Sequence, residues 1–91
     1  MHNIDLSIII PCFNEEKTVS KILDKIINLN IKKEIIIIDD FSKDNTQKII
    51  SEYESEDIKI IYNDENLGKG ACIKKAQSLV KGRYVIIQDA D

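Results

Sequence analysis

Residues 35–46 read IIIIDDFSKDNT, four isoleucines followed at once by two acids. A β-branched run this short and unbroken suits a strand buried on both faces, as in a parallel sheet covered by helices. Asp39 and Asp40 then stand at the mouth of that strand, where two like charges are costly without partners. Beyond them, Ser42 or Asp44 is placed to cap a helix whose apolar stripe is Thr46, Ile49, Ile50 and Tyr53. Asn45 suits a left-handed turn position.

The same unit of strand, polar turn and helix recurs in both directions. Leu6–Ile10 and Tyr84–Ile87 are further apolar runs of the doubly buried kind, whereas Ile58–Tyr62 is broken by Lys59 and fits an edge strand. Val19, Ile22, Leu23, Ile26 and Ile27 form one helical stripe, with Lys17, Lys21 and Lys25 off it. Cys72, Ala76, Leu79 and Val80 form another, with Gly82 where a helix-ending residue would sit. The predicted order is β1-α1-β2-α2-β3-α3-β4 in one α/β domain, a Rossmann-like parallel sheet with right-handed crossovers. Ligands of such sheets gather at the carboxyl ends of the strands.

Composition narrows the function classes. The 91 residues are 43% hydrophobic and 32% charged, with a net charge of −3. An acidic balance of this kind argues against a nucleic-acid partner. Cys12 and Cys72 have no CxxC spacing and a zinc site is not expected; they read as reduced thiols of a cytoplasmic protein. The first ten residues, MHNIDLSIII, lack the basic start and cleavage site of a secretory signal. No apolar run approaches the ~20 residues of a membrane span.

Polar clusters follow all four predicted strands. After the first comes PCFNEE, with Pro11 ending the strand and Asn14, Glu15 and Glu16 leading into the helix. After the second, a carboxylate of the DD pair is placed to accept hydrogen bonds from the amide edge of a base. After the third comes NDENLGKGA, in which Gly68 and Gly70 flank Lys69. Free backbone N–H groups and a lysine at a helix start make an anion site, although there is no Walker A or GxGxxG pattern. After the fourth comes QDAD, whose Asp89 and Asp91 are spaced to share one hard divalent cation. An isolated DxD is most simply a polar loop; here it is the fourth cluster at one sheet edge.

Together SIIIPCFNEE (7–16), IIIIDDFSKDNT (35–46), NLGKGACIKKA (66–76) and GRYVIIQDAD (82–91) resemble the N-terminal half of family 2 glycosyltransferases of the GT-A fold, most closely the dolichyl- or polyprenyl-phosphate sugar transferases. The resemblance spans essentially the whole chain. It implies that Pro11, Phe13 and Glu15 contact the nucleoside of a UDP- or GDP-sugar, and that Ile38 and Asp40 hold its base. It further implies that Lys69 lies near the nucleotide, and that Asp89 and Asp91 hold Mn²⁺ or Mg²⁺ against the diphosphate. Phe13 stands where the family often has tyrosine, Phe41 where DDGS has glycine, and Asn45 where DGT has glycine.

The family places its catalytic base and acceptor pocket after the DxD motif, so no catalytic base is assigned here. Residues 1–91 are therefore expected to be a nucleotide-sugar-binding half-domain. The acceptor of the full-length protein is expected to be a lipid phosphate at the cytoplasmic face of a membrane. Self-association through an uncovered fourth strand is a further expectation. Two alternatives are a receiver-like Mg²⁺-binding signalling domain, in which only Asp64 could serve as phosphoacceptor, and a non-catalytic interaction fragment.

Overall fold

The computed structural model describes residues 3–91; of the first ten residues read above, Met1 and His2 lie outside that range. Four strands, β1 (Leu6–Cys12), β2 (Lys33–Asp39), β3 (Ile58–Tyr62) and β4 (Tyr84–Ile87), alternate with α1 (Val19–Ile27), α2 (Thr46–Ser51) and α3 (Lys69–Gln77). All pairings are parallel and the strand order is β3-β2-β1-β4. The α/β expectation holds, with β3 at an edge.

Successive isoleucines point to opposite faces of the sheet, so each run feeds two cores. Ile8, Ile10, Ile35 and Ile37 pack on one face with Val19, Leu23 and Ile26 of α1 and Ile50 of α2. Ile9, Ile36 and Ile38 pack on the other with Cys72 and Ala76 of α3. The chain moves outward from β1 to β3 under α1 and α2, then crosses back by α3 to β4 on the far side of β1. Right-handed crossovers require that change of face. It makes the carboxyl ends of β1 and β4 the switch point of the sheet, the place where such folds open a crevice.

Five details depart from the sequence reading. Pro11 does not end β1: it pairs with Ile38, and the strand runs on to Cys12. Ile9 O accepts the N–H of Gln88 and Cys12 O that of Asp40, so Pro11 turns its missing donor toward β4. The β4 pairing has already stopped at Ile87, and no ladder bond is lost.

Helix α3 stops at Gln77, leaving Leu79 exposed and only Val80 against the core. Gly82 has a different role from the one its position suggested: a Cβ there would lie 2.7 Å from Ser7 N. Its N–H donates to Ser7 Oγ (2.8 Å), and Ser7 Oγ–H donates to Glu34 Oε2 (2.6 Å). Glu34 Oε2 also accepts Lys81 N–H (2.6 Å), so one buried carboxylate fixes the entry to β4.

The left-handed residue of the second loop is Phe41 (φ 66°), with Asn14 (φ 53°) its counterpart in the first, while Asn45 is at φ −84°. The phenylalanine thus occupies the backbone region for which glycine is favoured, with Lys43 Nζ 3.9 Å from its ring centroid. Finally, β4 is not doubly buried. Tyr84, Val85, Ile86 and Ile87 are 43–66% exposed, and among the described residues β4 pairs only with β1.

Candidate nucleotide-sugar site

The loops after β1 and β2 are joined by their own polar groups. Asn14 N–H donates to Ser42 Oγ (2.9 Å), Lys43 N–H to Asn14 Oδ1 (2.8 Å), and Glu15 N–H to Thr46 Oγ1 (2.9 Å). Asp44 accepts the N–H of Thr46 (2.9 Å) and that of Glu16 (3.3 Å), so it ties both helix entries together. Glu15 and Glu16 lie ahead of α1, not in its first turn.

The paired acids after β2 have separate tasks. Asp39 is fully buried and accepts Ser42 N–H (2.9 Å), Ser42 Oγ–H (2.5 Å) and Gln47 Nε2–H (2.8 Å). Asp40, 5% exposed, reaches across to the loop before α3. Its Oδ1 accepts Leu67 N–H (2.8 Å) and Asn63 Nδ2–H (2.9 Å), and its Oδ2 accepts Gly68 N–H (2.8 Å). Two of the backbone donors expected to await an external anion at the start of α3 are therefore already bound to Asp40. Burial pushes the Asp40 carboxyl up, but the hydrogen bonds from Leu67, Asn63 and Gly68 outweigh it and hold the group below the usual aspartate range. This use of Asp40, and the part of Asn63 in it, had no sequence signal beyond an amide following an edge strand.

At the switch point a cavity of about 250 Å³ is lined by Pro11, Cys12, Phe13, Glu15, Asp40, Lys69, Cys72, Asp89, Ala90 and Asp91. Every site residue proposed from the sequence lines it except Ile38, whose side chain is fully buried in the core. Lys69 Nζ lies 2.6 Å from Asp89 Oδ1, both side chains well exposed, and this contact raises the lysine pKa. Between the two acids Ala90 is buried, and its carbonyl accepts Thr18 Oγ–H at 2.7 Å. The thiols are not activated: burial pushes Cys12 up strongly and Cys72 up to about 11. Among the described residues no three His, Cys, Asp or Glu side chains gather into a metal-binding cluster. A cavity twice as large (about 500 Å³) opens at the opposite, amino end of the sheet, lined by Ile4, Ile27, Lys32, Asp57 and others. It lacks the convergence of acids and lysine found at the switch point.

The family model described as glycosyl transferase family 2 matches residues 7–91, and the chain belongs to that family. Over 98% of its length the chain is 38% identical to a dolichyl-phosphate beta-glucosyltransferase of Dictyostelium discoideum. It is 36% identical over 94% to a poly-beta-1,6-N-acetyl-D-glucosamine synthase of Staphylococcus epidermidis. It spans only 31% and 21% of those two proteins. In three dimensions it is similar to S. aureus TarS (TM-score 0.89, 26% identity, 97% of this chain and 28% of that one). It has the same fold as the mannosyltransferase PcManGT of Pyrobaculum calidifontis, solved with GDP-Man and Mn²⁺ (TM-score 0.87, 24% identity, 100% and 28%). The four parallel strands are those of the nucleotide-binding half of the GT-A fold, and the receiver-like alternative falls away.

Proposed function

We propose that this chain is the donor-binding region of a sugar transferase, taking a UDP- or GDP-sugar together with Mn²⁺ or Mg²⁺. The observation that carries this reading is the single cavity at the β1/β4 switch point, which gathers Phe13, Glu15, Asp40, Lys69, Asp89 and Asp91. Phe13 offers a half-exposed ring on which a base can stack. Asp40 supplies an ionised acceptor for the base, and Ile38 supports that wall from the core beneath. Pro11 and Glu15 border the nucleoside.

Asp89 and Asp91 fit a divalent cation by chemistry. They are hard carboxylate donors on either side of a buried alanine, at a cavity wide enough for further oxygen ligands from diphosphate and water. When bound, such a cation neutralises charge on the departing diphosphate. Lys69, released from Asp89, then becomes a counter-charge for the phosphates. The acceptor in the full-length protein is a polyprenyl phosphate, as the name of the D. discoideum relative suggests, and transfer takes place at the cytoplasmic face of a membrane. No helix of the described residues is long and apolar enough to cross one.

Calorimetric titration of UDP and GDP, with and without Mn²⁺, tests the reading. Binding of one diphosphate that strengthens with Mn²⁺ and is lost in Asp89→Asn supports it; equal binding by Asp89→Asn in the presence of Mn²⁺ overturns the metal assignment. Sugar transfer by these 91 residues from UDP-glucose or GDP-mannose to a polyprenyl phosphate is not expected, because none of the described residues is assigned as the catalytic base.

A further inference from the structure

Behind the cavity wall, a chain of three side chains runs from the surface of α3 to Asp40. Lys75 Nζ–H donates to Asn63 Oδ1 (2.7 Å), and Asn63 Nδ2–H donates to Asp40 Oδ1 (2.9 Å) and contacts Cys72 Sγ (3.4 Å). An ammonium only donates and a carboxylate only accepts, so the two ends force one orientation on the amide between them. The amide is 3% exposed, and water does not compete for it. Polarised by a cation on its oxygen, it is a stronger donor to the anion on its other side. The backbone of Asn63 does not depend on this chain, since its N–H is separately held by Asp39 O (2.9 Å).

Each carboxylate oxygen has two lone pairs. Oδ1 receives two donors, from Asn63 and Leu67, whereas Oδ2 receives one N–H, from Gly68; the Cys72 thiol, a weak donor, also hydrogen-bonds the carboxylate. We infer that Lys75 and Asn63 are positioning residues for Asp40, filling Oδ1 and leaving Oδ2 as the oxygen with capacity for a donor of the nucleotide. The inference rests on the nucleotide reading of the cavity only for its last step. Lys75 touches neither the cavity nor any residue assigned to the metal, and its hydrogen bond reaches Asp40 through Asn63.

The test compares wild type, Lys75→Met and Lys75→Arg by UDP and GDP titration in Mn²⁺ and by ¹H–¹⁵N spectra of the Asn63 side-chain amide. In Lys75→Met, nucleotide affinity should fall about 3- to 10-fold, the scale of one weakened hydrogen bond. The Asn63 amide proton facing Asp40 should move upfield while the urea midpoint stays near that of wild type. Lys75→Arg, which keeps the cation, should restore both signals. Unchanged affinity and unmoved amide resonances in Lys75→Met would overturn the inference, as would a loss that Lys75→Arg does not repair. If the wild type binds neither diphosphate, the nucleotide reading fails, and the amide resonances alone then decide whether Lys75 sets the Asn63–Asp40 contact.

Discussion

The ammonium of Lys69 sits 2.6 Å from Asp89 Oδ1, on the carboxylate that a divalent cation would need. The lysine and the metal are therefore competitors until a diphosphate arrives to accept the lysine. Lys69→Ala should tighten Mn²⁺ binding about two- to fivefold without nucleotide, a modest gain because exposed pairs are weak. It should weaken binding of the diphosphate–Mn²⁺ complex. Mn²⁺ electron paramagnetic resonance titrations with and without UDP or GDP check both signs; a change in the same direction in both would sink the competition.

Asp40 should matter for stability as well as affinity. Asp40→Ala strands Asn63 Nδ2 and the N–H groups of Leu67 and Gly68, and a hydrogen bond to a charged group contributes about 1.5–3 kcal/mol. A urea midpoint that drops together with nucleotide affinity is the expected result. Full stability with affinity lost would mean the loop before α3 does not depend on this carboxylate.

Acid should act on the same residue. Asp40 and Asp44 are both held below the ordinary aspartate range: burial pushes each up, and hydrogen bonds outweigh it, from Leu67, Asn63 and Gly68 for Asp40 and from Thr46 and Glu16 for Asp44. Groups lowered in the folded state bind more protons when unfolded, so their stabilisation is complete above the unfolded pKa of about 3.9 and is lost as pH falls through the folded value. Urea midpoints measured from pH 6 downward should fall steeply below about pH 4. Asp44→Asn should flatten that fall.

Gly82→Ala places a methyl 2.7 Å from Ser7 N and Ser7 Oγ, with strand backbone on one side. The clash cannot be relieved by a rotamer. Overpacking of this kind costs about 1–3 kcal/mol, read as a lower denaturation midpoint. An unchanged midpoint would show that the turn before β4 can shift at no cost.

The outer edge of β4 should pair. Tyr84 N–H is bonded to Asp5 O, just before β1, and Gln88 N–H to Ile9 O of β1, so the backbone groups of Val85 and Ile87 face the open side. With four exposed apolar side chains, this edge is a template for another strand. Sedimentation should show concentration-dependent association that Val85→Lys suppresses; a monomer at high concentration would exclude it.

Much of this architecture was legible because isoleucine runs and helical stripes are local signals. Ile35–Ile38 and the Val19–Ile26 stripe could be read without knowing what they touch. Crossover handedness then predicts which strand ends meet, and so why Phe13, Asp40, Lys69 and Asp89 share one cavity. Other features depend on contacts distant in sequence. Leu79 keeps the spacing of α3 but falls after its end, because the chain must turn early to bring Gly82 against Ser7. Propensity points to Asn45 for the left-handed conformation, yet Phe41 adopts it, held where the loop turns back with Ser42 bonded to Asp39. Asn63 carries no local signal of its own; only the approach of Lys75 from α3 and Asp40 from β2 gives its amide a task.

Ala90, 3% exposed between two acids and held by Thr18 through its carbonyl, behaves as a fulcrum. Both carboxylates hang from one residue that faces the interior, so its bulk sets how far they stand from the core cluster it joins. A larger side chain at position 90 would raise Asp89 and Asp91 together and preserve their mutual spacing. The depth of the cleft can thus be retuned over evolutionary time by an apolar substitution, with every charge in the cleft left unchanged.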